Sequence, residues 1–313
     1  MPKRKRTEVD IAASREVCNT PKTRRKLNTT LLTRSAESSD ALIERLNALS
    51  TSDLLANYAD TRRLHCQARR LQEDERSIDA FTITLYNPTR DLEPLDYDAM
   101  LEACFSLISL TSSPAYRASA QGWRPQKKKD EMREQDMRYL IVNSPNTPRP
   151  EETGDSFYET IGCDSLTPTQ RRKLIDRHWT KRVVGFLSFM LTHEGGLPVL
   201  YIYEIHLRPE LHGLGIGTHL LMLAHSIAEN VGLEKTMLTV FRSNTRGRAL
   251  YEKCGFAEDE CSPKKIYLRG GKVKKADYVI MSKTVVFADD SEDFLFQTHG
   301  NAVQDTISIN KYP

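Results

Sequence analysis

Residues 199–217 constrain the fold more than any other stretch. They read Val-Leu-Tyr-Ile-Tyr-Glu-Ile-His-Leu-Arg-Pro-Glu-Leu-His-Gly-Leu-Gly-Ile-Gly. The first half is dense in β-branched and aromatic side chains, so it reads as a strand, and Pro209 ends it. Gly213, Gly215 and Gly217 crowd into a turn. Leu220, Leu223, Ala224, Ile227, Ala228 and Val231 then repeat at the spacing of one helix face. Strand, glycine turn and helix together make an anion site from backbone alone. The N–H groups of the first helical turn have no partner within the helix, and the helix dipole is positive at that end.

The spacing excludes two common phosphate loops. No Gly-Lys-Ser/Thr follows, so this is not a Walker loop, and Gly213-x-Gly215-x-Gly217 is not the G-x-G-x-x-G of a dinucleotide fold. A glycine-rich turn of this kind is also compatible with a purely structural turn.

Composition narrows the class. A chain of 313 residues, 39% hydrophobic and 28% charged, fits a globular protein with polar extensions. No apolar run approaches the roughly 20 residues of a membrane span, so no membrane partner is expected. Cys18, Cys66, Cys104, Cys163, Cys254 and Cys261 are scattered without a C-x-x-C pair, which points to free thiols and no zinc site. The net charge of +3 is unevenly spread. Lys3-Arg4-Lys5-Arg6 and Lys22-Thr23-Arg24-Arg25-Lys26 lie in a tail, residues 1–38, that reads as disordered. Those clusters fit a nuclear import signal, a nucleic-acid or nucleosome contact, or a solvated tail.

Along the chain, residues 40–58 read as a helix and 62–71 as a second one. Residues 39–77 thus form a helical extension to a main domain at 78–286. Residues 81–85 alternate like a strand, 97–110 carry a helical stripe that Pro114 stops, and 116–133 read as a loop and a charged helix. Residues 138–142 are a strand. A polar stretch follows at 143–181, too long for an ordinary loop, and reads as an insertion between neighbouring strands with a short helix at 169–178. Residues 183–191 form the next strand, and Glu194-Gly195-Gly196 a hairpin turn. Residues 236–241 form a buried strand. Asn244 caps a helix at 245–254, and Gly255 stops it. Two more strands start at Phe256 and Asp277, and 287–313 read as a tail.

Leu211-His212-Gly213-Leu214-Gly215-Ile216-Gly217 resembles the acetyl-CoA loop of the GCN5-related N-acetyltransferases (GNAT), with His212 where Arg or Gln is usual. Asn244-x-x-Gly247-x-x-x-Tyr251-x-x-x-Gly255-Phe256 resembles the second motif of that superfamily. The element order agrees. The resemblance implies an α/β fold with a mixed, twisted central sheet flanked by helices. It implies acetyl-CoA as cosubstrate, held by the main chain of Ile205, His206 and Leu207, by the loop Gly213, Leu214, Gly215, Ile216, Gly217 and Thr218, and by Asn244 and Tyr251. No metal is implied.

Leu200-Tyr201-Ile202-Tyr203-Glu204-Ile205, Met237-Leu238-Thr239-Val240-Phe241 with Asn244, and Tyr278-Val279-Ile280-Met281-Ser282 are similar to the NatD family of histone N-terminal acetyltransferases. The resemblance implies transfer to the α-amine of histones four and two-A, which begin Ser-Gly-Arg-Gly. It implies a peptide slot lined by Tyr116, Trp123, Thr192, Tyr203, Thr239 and Tyr278, association with chromatin or the ribosome, and residence in nucleus and cytoplasm. Gln121 stands where a first Trp is usual, and Thr192 where an Asp is. A lysine or polyamine acetyltransferase of the same fold, or a non-catalytic chromatin-binding module, remain as alternatives.

An α-amine has a pKa of about 7.7–8.0 against about 10.4 for lysine, so a modest base suffices to neutralise it. Glu204 is the only carboxylate within the tyrosine-rich strand and is the candidate general base, acting directly or through one water. Tyr201 and Tyr203 are candidates to orient the amine. In a regular strand Tyr203 and Glu204 face opposite sides; the acetyltransferase resemblance implies a bulge or splay of the strand here, which brings both to the site.

Overall fold

The computed structural model describes residues 38–71, 76–145, 166–264, 266–267 and 273–286. The basic clusters of the N-terminal tail, most of the polar insertion, Cys163 and the C-terminal tail lie outside the described residues.

Helices α1 (Ser39–Ala48) and α2 (Thr51–Tyr58) lead into strands β1 (His65–Leu71) and β2 (Arg76–Tyr86). Then follow α3 (Pro88–Asp91), α4 (Pro94–Ala118), α5 (Pro125–Glu131), β3 (Arg138–Asn143) and α6 (Pro168–Arg182). The hairpin β4 (Val183–Glu194) and β5 (Leu197–Leu207) comes next, with α7 (Ile216–Val231), β6 (Lys235–Phe241), α8 (Thr245–Lys253) and β7 (Ala257–Glu258) behind it. A small hairpin, β8 (Ile266–Tyr267) and β9 (Val273–Lys274), precedes β10 (Tyr278–Thr284). The sheet order is β1-β2-β3-β4-β5-β6-β10-β7, antiparallel throughout except between β5 and β6. This is the expected mixed sheet flanked by helices.

One face of the sheet is closed by α1, α2 and α7 over Leu187, Phe189, Leu191, Leu200 and Ile202. The other face packs α4 and α6 over Tyr139, Ile141 and Phe186. Arg138 is fully buried and ties the extension down, donating to Leu46 O (3.1 Å) and Asn47 Oδ1 (2.9 Å) at the C-terminal end of α1. Burial pushes its guanidinium down to about 10.

Four local readings need correction. The helix expected at 40–58 breaks after α1, because Ser50 accepts from Asp53 N–H (3.0 Å) and caps a new helix. The helix expected at 62–71 is a 3-10 turn, Thr61–Leu64, followed by β1; Cys66 and Ala68 are buried at strand spacing, and pairing with β2 overrides the helical propensity. Pro114 does not end α4. The hydrogen bond it removes falls on the carbonyl of Leu110, whose side chain is exposed, so water can replace it. The strand expected from Phe256 shrinks to β7, which meets β10 only at Met281 and Ser282.

The insertion does join neighbouring strands, β3 and β4. Its helix α6 outruns the expected 169–178, starting in a capping box made by Thr167 and Gln170 and packing on α4 through Trp179, whose Nε1–H donates to Asp96 (2.7 Å). Gly195 and Gly196 turn the β4–β5 hairpin with φ of 59° and 79°, a primed turn only glycine-like residues adopt easily. Cys66, Cys104, Cys254 and Cys261 are free thiols.

Candidate active site

The site is built around an irregularity in β5. Ser188 pairs with Glu204, but Phe189 pairs with Ile202, so Tyr203 is an extra residue in the ladder. Before the bulge Tyr201 and Tyr203 point to the α4 side, and Leu200 and Ile202 to the closed face. After it the alternation has slipped by one. Glu204 and His206 take the α4 side, while Ile205 and Leu207 pack on the closed face. Tyr203 and Glu204 are adjacent in sequence and share one face.

Glu204 is buried and accepts from three donors. Tyr116 O–H (3.0 Å) and Lys128 Nζ (2.8 Å) reach Oε1, and His206 Nε2 (2.6 Å) reaches Oε2. Three of its roughly four acceptor sites are therefore taken, with one left on Oε2. Burial pushes its carboxyl up, but the Lys128 ammonium and His206 outweigh burial and hold it well below the usual carboxylate range. Lys128 is buried with it and also donates to Glu131 (2.6 Å). Burial favours the neutral amine, yet Glu204 above all keeps the ammonium charged. Burial, and then the Glu204 charge, push the Tyr116 hydroxyl far above its ordinary value.

An aromatic wall continues outward. The Tyr116 ring lies 5.4 Å from Trp123 and 5.1 Å from Phe241, and Trp123 stacks on Phe105 at 5.7 Å. Tyr201 O–H shares a hydrogen bond of 2.5 Å with Thr239 Oγ1, and its ring meets Tyr203 at 5.5 Å. Tyr278 stands across from Phe241 on β10. Thr192 lies further along β4, across from Val199. Asp277 Oδ2 accepts Ala120 N–H (2.7 Å), anchoring the turn that carries Gln121, Gly122 and Trp123 against the sheet.

Beside this wall the sheet opens. The parallel pairing of β5 with β6 runs from Val199–Lys235 to Ile202–Leu238 and stops, while β5 continues to Leu207. At the end of that opening lies the glycine turn. Gly213 and Gly215 have φ of 80° and 83°, and a Cβ on either meets nothing within 4 Å. Gly215 starts α7 without a side-chain cap on its first N–H groups. Strand backbone, open glycine cradle and uncapped helix start fit a long cofactor with a phosphate-bearing end.

Of the residues expected at the cofactor, Ile205, His206 and Leu207 lie on the part of β5 beyond its pairing with β6, Gly213, Leu214 and Gly215 in the turn, and Ile216, Gly217 and Thr218 in the first turn of α7; the Ile216 side chain is fully buried and Leu214 packs against the core. Asn244 uses its Oδ1 to cap α8 at Gly247 N–H (2.9 Å), and a Cβ at Gly247 would push that side chain out of its capping position. Tyr251 is buried toward the closed face, and burial pushes its hydroxyl far up. Sequence reasoning missed Lys128, Thr111, Phe241 and the side chain of His206. Lys128 hides in Lys127-Lys128-Lys129, which reads as a solvated charge run; only its i, i+3 spacing from Glu131 hints otherwise.

Residues 132–256 match the Acetyltransferase (GNAT) family. Among named relatives, N-alpha-acetyltransferase 40 of Saccharomyces cerevisiae is 38% identical over 107 aligned positions, covering 28% of this chain and 37% of that protein. Similar solved structures include the NatC complex bound to Gag peptide and CoA (11% identity, 66% of this chain and 99% of that one, TM-score 0.39). The ribosomal-protein-S18-alanine N-acetyltransferase of Escherichia coli is another (16%, 66% and 96%, TM-score 0.38). A third is Arabidopsis thaliana NAA60 with a bisubstrate analogue (11%, 65% and 98%, TM-score 0.37).

Proposed function

We propose that this chain transfers acetyl from acetyl-CoA to the α-amino group of protein N-termini, as a NatD-type enzyme whose substrates are histone tails beginning Ser-Gly-Arg-Gly. The observation that carries the reading is the β5 bulge, which turns Tyr203 and Glu204 to one face beside the opening between β5 and β6. The partial similarity to N-alpha-acetyltransferase 40 supports the choice of amine. Chromatin in the nucleus, and newly made histones in the cytoplasm, are the proposed places of action.

When bound, acetyl-CoA supplies the thioester carbonyl that the amine attacks. The main chain of Ile205, His206 and Leu207 holds the pantetheine arm by strand-like hydrogen bonds. The glycine turn and the start of α7 hold the pyrophosphate. Tyr201, Tyr203, Tyr116 and Trp123 surround the N-terminal residues and exclude water. Thr239 and Tyr278 complete the slot. The remaining acceptor site on Glu204 takes the amine proton, directly or through one water. A slot of this kind admits glycine at the second residue and rejects bulk. Thr192 offers no charge to the third-residue arginine.

Mass spectrometry of three peptides tests the proposal. Ser-Gly-Arg-Gly with a free terminus is expected to gain one acetyl at the α-amine. The same peptide with a blocked terminus and an internal lysine, and Ser-Leu-Arg-Gly, are expected to stay unmodified. Acetylation of the blocked peptide on lysine overturns the α-amine reading, and equal rates on Gly and Leu overturn the narrow slot.

A further inference from the structure

Lys128 is a buried charge that no packing rule asks for. It stands in Lys127-Lys128-Lys129 on α5. Lys127 is exposed, and Lys129 pairs with Glu102 (2.6 Å) at the surface, while Lys128 turns inward and is buried. An ammonium is costly to bury, and an apolar side chain of similar length would fill the space without that cost. The reason for its place therefore lies in its partners.

Nζ donates to Glu131 Oε1 (2.6 Å) and to Glu204 Oε1 (2.8 Å), and stands 5.2 Å from the centre of the Tyr116 ring. The Glu131 side chain keeps 34% of its surface in solvent and that of Glu204 keeps 8%, so Glu204 is the carboxylate that depends on the ammonium. Burial alone favours the protonated carboxyl, and a protonated carboxyl cannot take a proton from an amine. The groups that face Glu204 are Tyr116 on α4, Lys128 and Glu131 on α5, His206 on its own strand, and Tyr139 on β3 and Tyr251 on α8, which both feel its charge. Burial holds the three tyrosine hydroxyls neutral, and Glu131 has the same sign as Glu204. Among the groups that oppose burial at Glu204, Lys128 comes first. It also sorts the two carboxylate oxygens. Tyr116 and Lys128 both donate to Oε1 and fill its two acceptor sites, so the open one lies on Oε2.

We propose that Lys128 is a positioning residue: its ammonium keeps Glu204 ionised in its buried place and occupies Oε1, which leaves Oε2 to meet the substrate amine. This rests on the reading above in which Glu204 takes the amine proton. Lys128 acts through Glu204 and needs no contact with the substrate.

Two measurements on the full chain test it. The first is NMR of the carboxyl carbons in 13C-glutamate-labelled protein, with Glu204→Gln to assign the signal. In wild type the Glu204 signal is expected to stay at its charged position across about pH 5 to 9. In Lys128→Met burial takes over, and the signal should titrate inside that range. The second is the pH dependence of kcat on Ser-Gly-Arg-Gly over the same range. Lys128→Met should add an acid limb at the new Glu204 midpoint, losing up to about tenfold more per pH unit below it and returning toward wild type above it. A merely structural lysine would instead lower kcat by the same factor at every pH. Lys128→Arg keeps the charge and should keep the wild-type signal, with no added limb even where its bulk lowers kcat.

If Lys128→Met does not fold, Lys128→Met with Glu131→Gln replaces it, since that pair of changes leaves a single carboxylate without its ammonium. The wild-type spectrum stands as a test by itself. A wild-type Glu204 that titrates in the range, a Glu204 that stays charged without Lys128, or a uniform loss of kcat overturns the proposal. A wild-type chain that acetylates no peptide overturns the proposed function, and the spectra then decide whether Lys128 holds the Glu204 charge.

Discussion

The two faces of the β4–β5 hairpin use burial for opposite ends. The closed face, under α1, α2 and α7, buries Leu187, Phe189, Leu191, Leu200 and Ile202 against other apolar side chains. The face under α4 and α5 buries as deeply, yet it holds Ser188, Glu204, His206 and Lys128 among its aromatics. Apolar burial stabilises at roughly 25 cal/mol per Å². A buried ion cluster at best breaks even with an apolar replacement. The apolar packing, all of the closed face and the part of the other face around Tyr139, Ile141 and Phe186, therefore accounts for stability. The polar cluster contributes little to it, and its retention is an argument for chemistry. One bulge residue, Tyr203, separates the two regimes along β5.

The largest expected effect follows from that division. Glu204→Gln keeps the shape of the side chain and deletes its charge. Turnover on the Ser-Gly-Arg-Gly peptide should fall roughly ten- to ten-thousand-fold, while acetyl-CoA affinity, read by calorimetry, holds. Near-normal turnover at neutral pH would remove Glu204 from the chemistry and make the polar face merely structural. Next in size is Gly215→Val. Gly215 sits at φ 83° with open space where a Cβ would project. A branched residue there is strained by about 1–2 kcal/mol and also fills the cradle. Acetyl-CoA affinity should drop on the order of a hundredfold, by about 2.7 kcal/mol. Intact affinity in a folded variant would move the cofactor elsewhere.

How much of this contrast the sequence carries depends on whether local rules decide it. The strand–glycine–helix unit, the Gly195-Gly196 hairpin and the Asn244 cap are short-range, and each is legible because the residue type dictates the backbone. The closed face is legible too, since Leu220, Leu223, Ala224, Ile227 and Val231 carry its period. Long-range partners are another matter. β1 looks helical until β2 supplies its ladder, and Pro114 looks like a stop until α4 is seen to run on to Tyr116. Lys128 reads as solvent-facing because nothing within its own helix shows that Glu204 lies opposite. The bulge was expected only through the family resemblance; the partners of Glu204, which are Tyr116, Lys128 and His206, come from α4, α5 and β5 meeting.

The third prediction tests the closed face on its own terms. Leu54 of α2 is fully buried in that core. Leu54→Ala should cost about 2–5 kcal/mol in urea unfolding, through lost transfer energy and the cavity left behind. Turnover per folded molecule should stay within about twofold, since a packing loss of this kind leaves the transition-state contacts alone. A change in kcat comparable to that of Glu204→Gln would show that the two faces are not separable.

The smallest effect is the most diagnostic, because it gives the two faces different pH signatures. The Glu204 carboxyl is held well below its ordinary value, near 4.3, by Lys128 and His206 against the opposing pull of burial. A carboxylate with a depressed folded pKa stabilises the protein fully above its unfolded value, and that contribution fades as pH falls through the folded one. Glu131 is shifted up by burial and further by the Glu204 charge, so it titrates differently once that charge is gone, and the comparison is therefore made in a Glu131→Gln background that removes its contribution. The stability gap that Glu204→Gln opens in that background should thus be on the order of 1 kcal/mol near neutral pH and narrow progressively below about pH 4. Leu54→Ala removes no titrating group, so its gap should stay flat over the same range. Urea midpoints at a series of pH values read both gaps at once. If the Glu204→Gln gap also stays flat, the charge on Glu204 is not held by the cluster, and the chemical face differs from the packing face in its residues but not in its electrostatics.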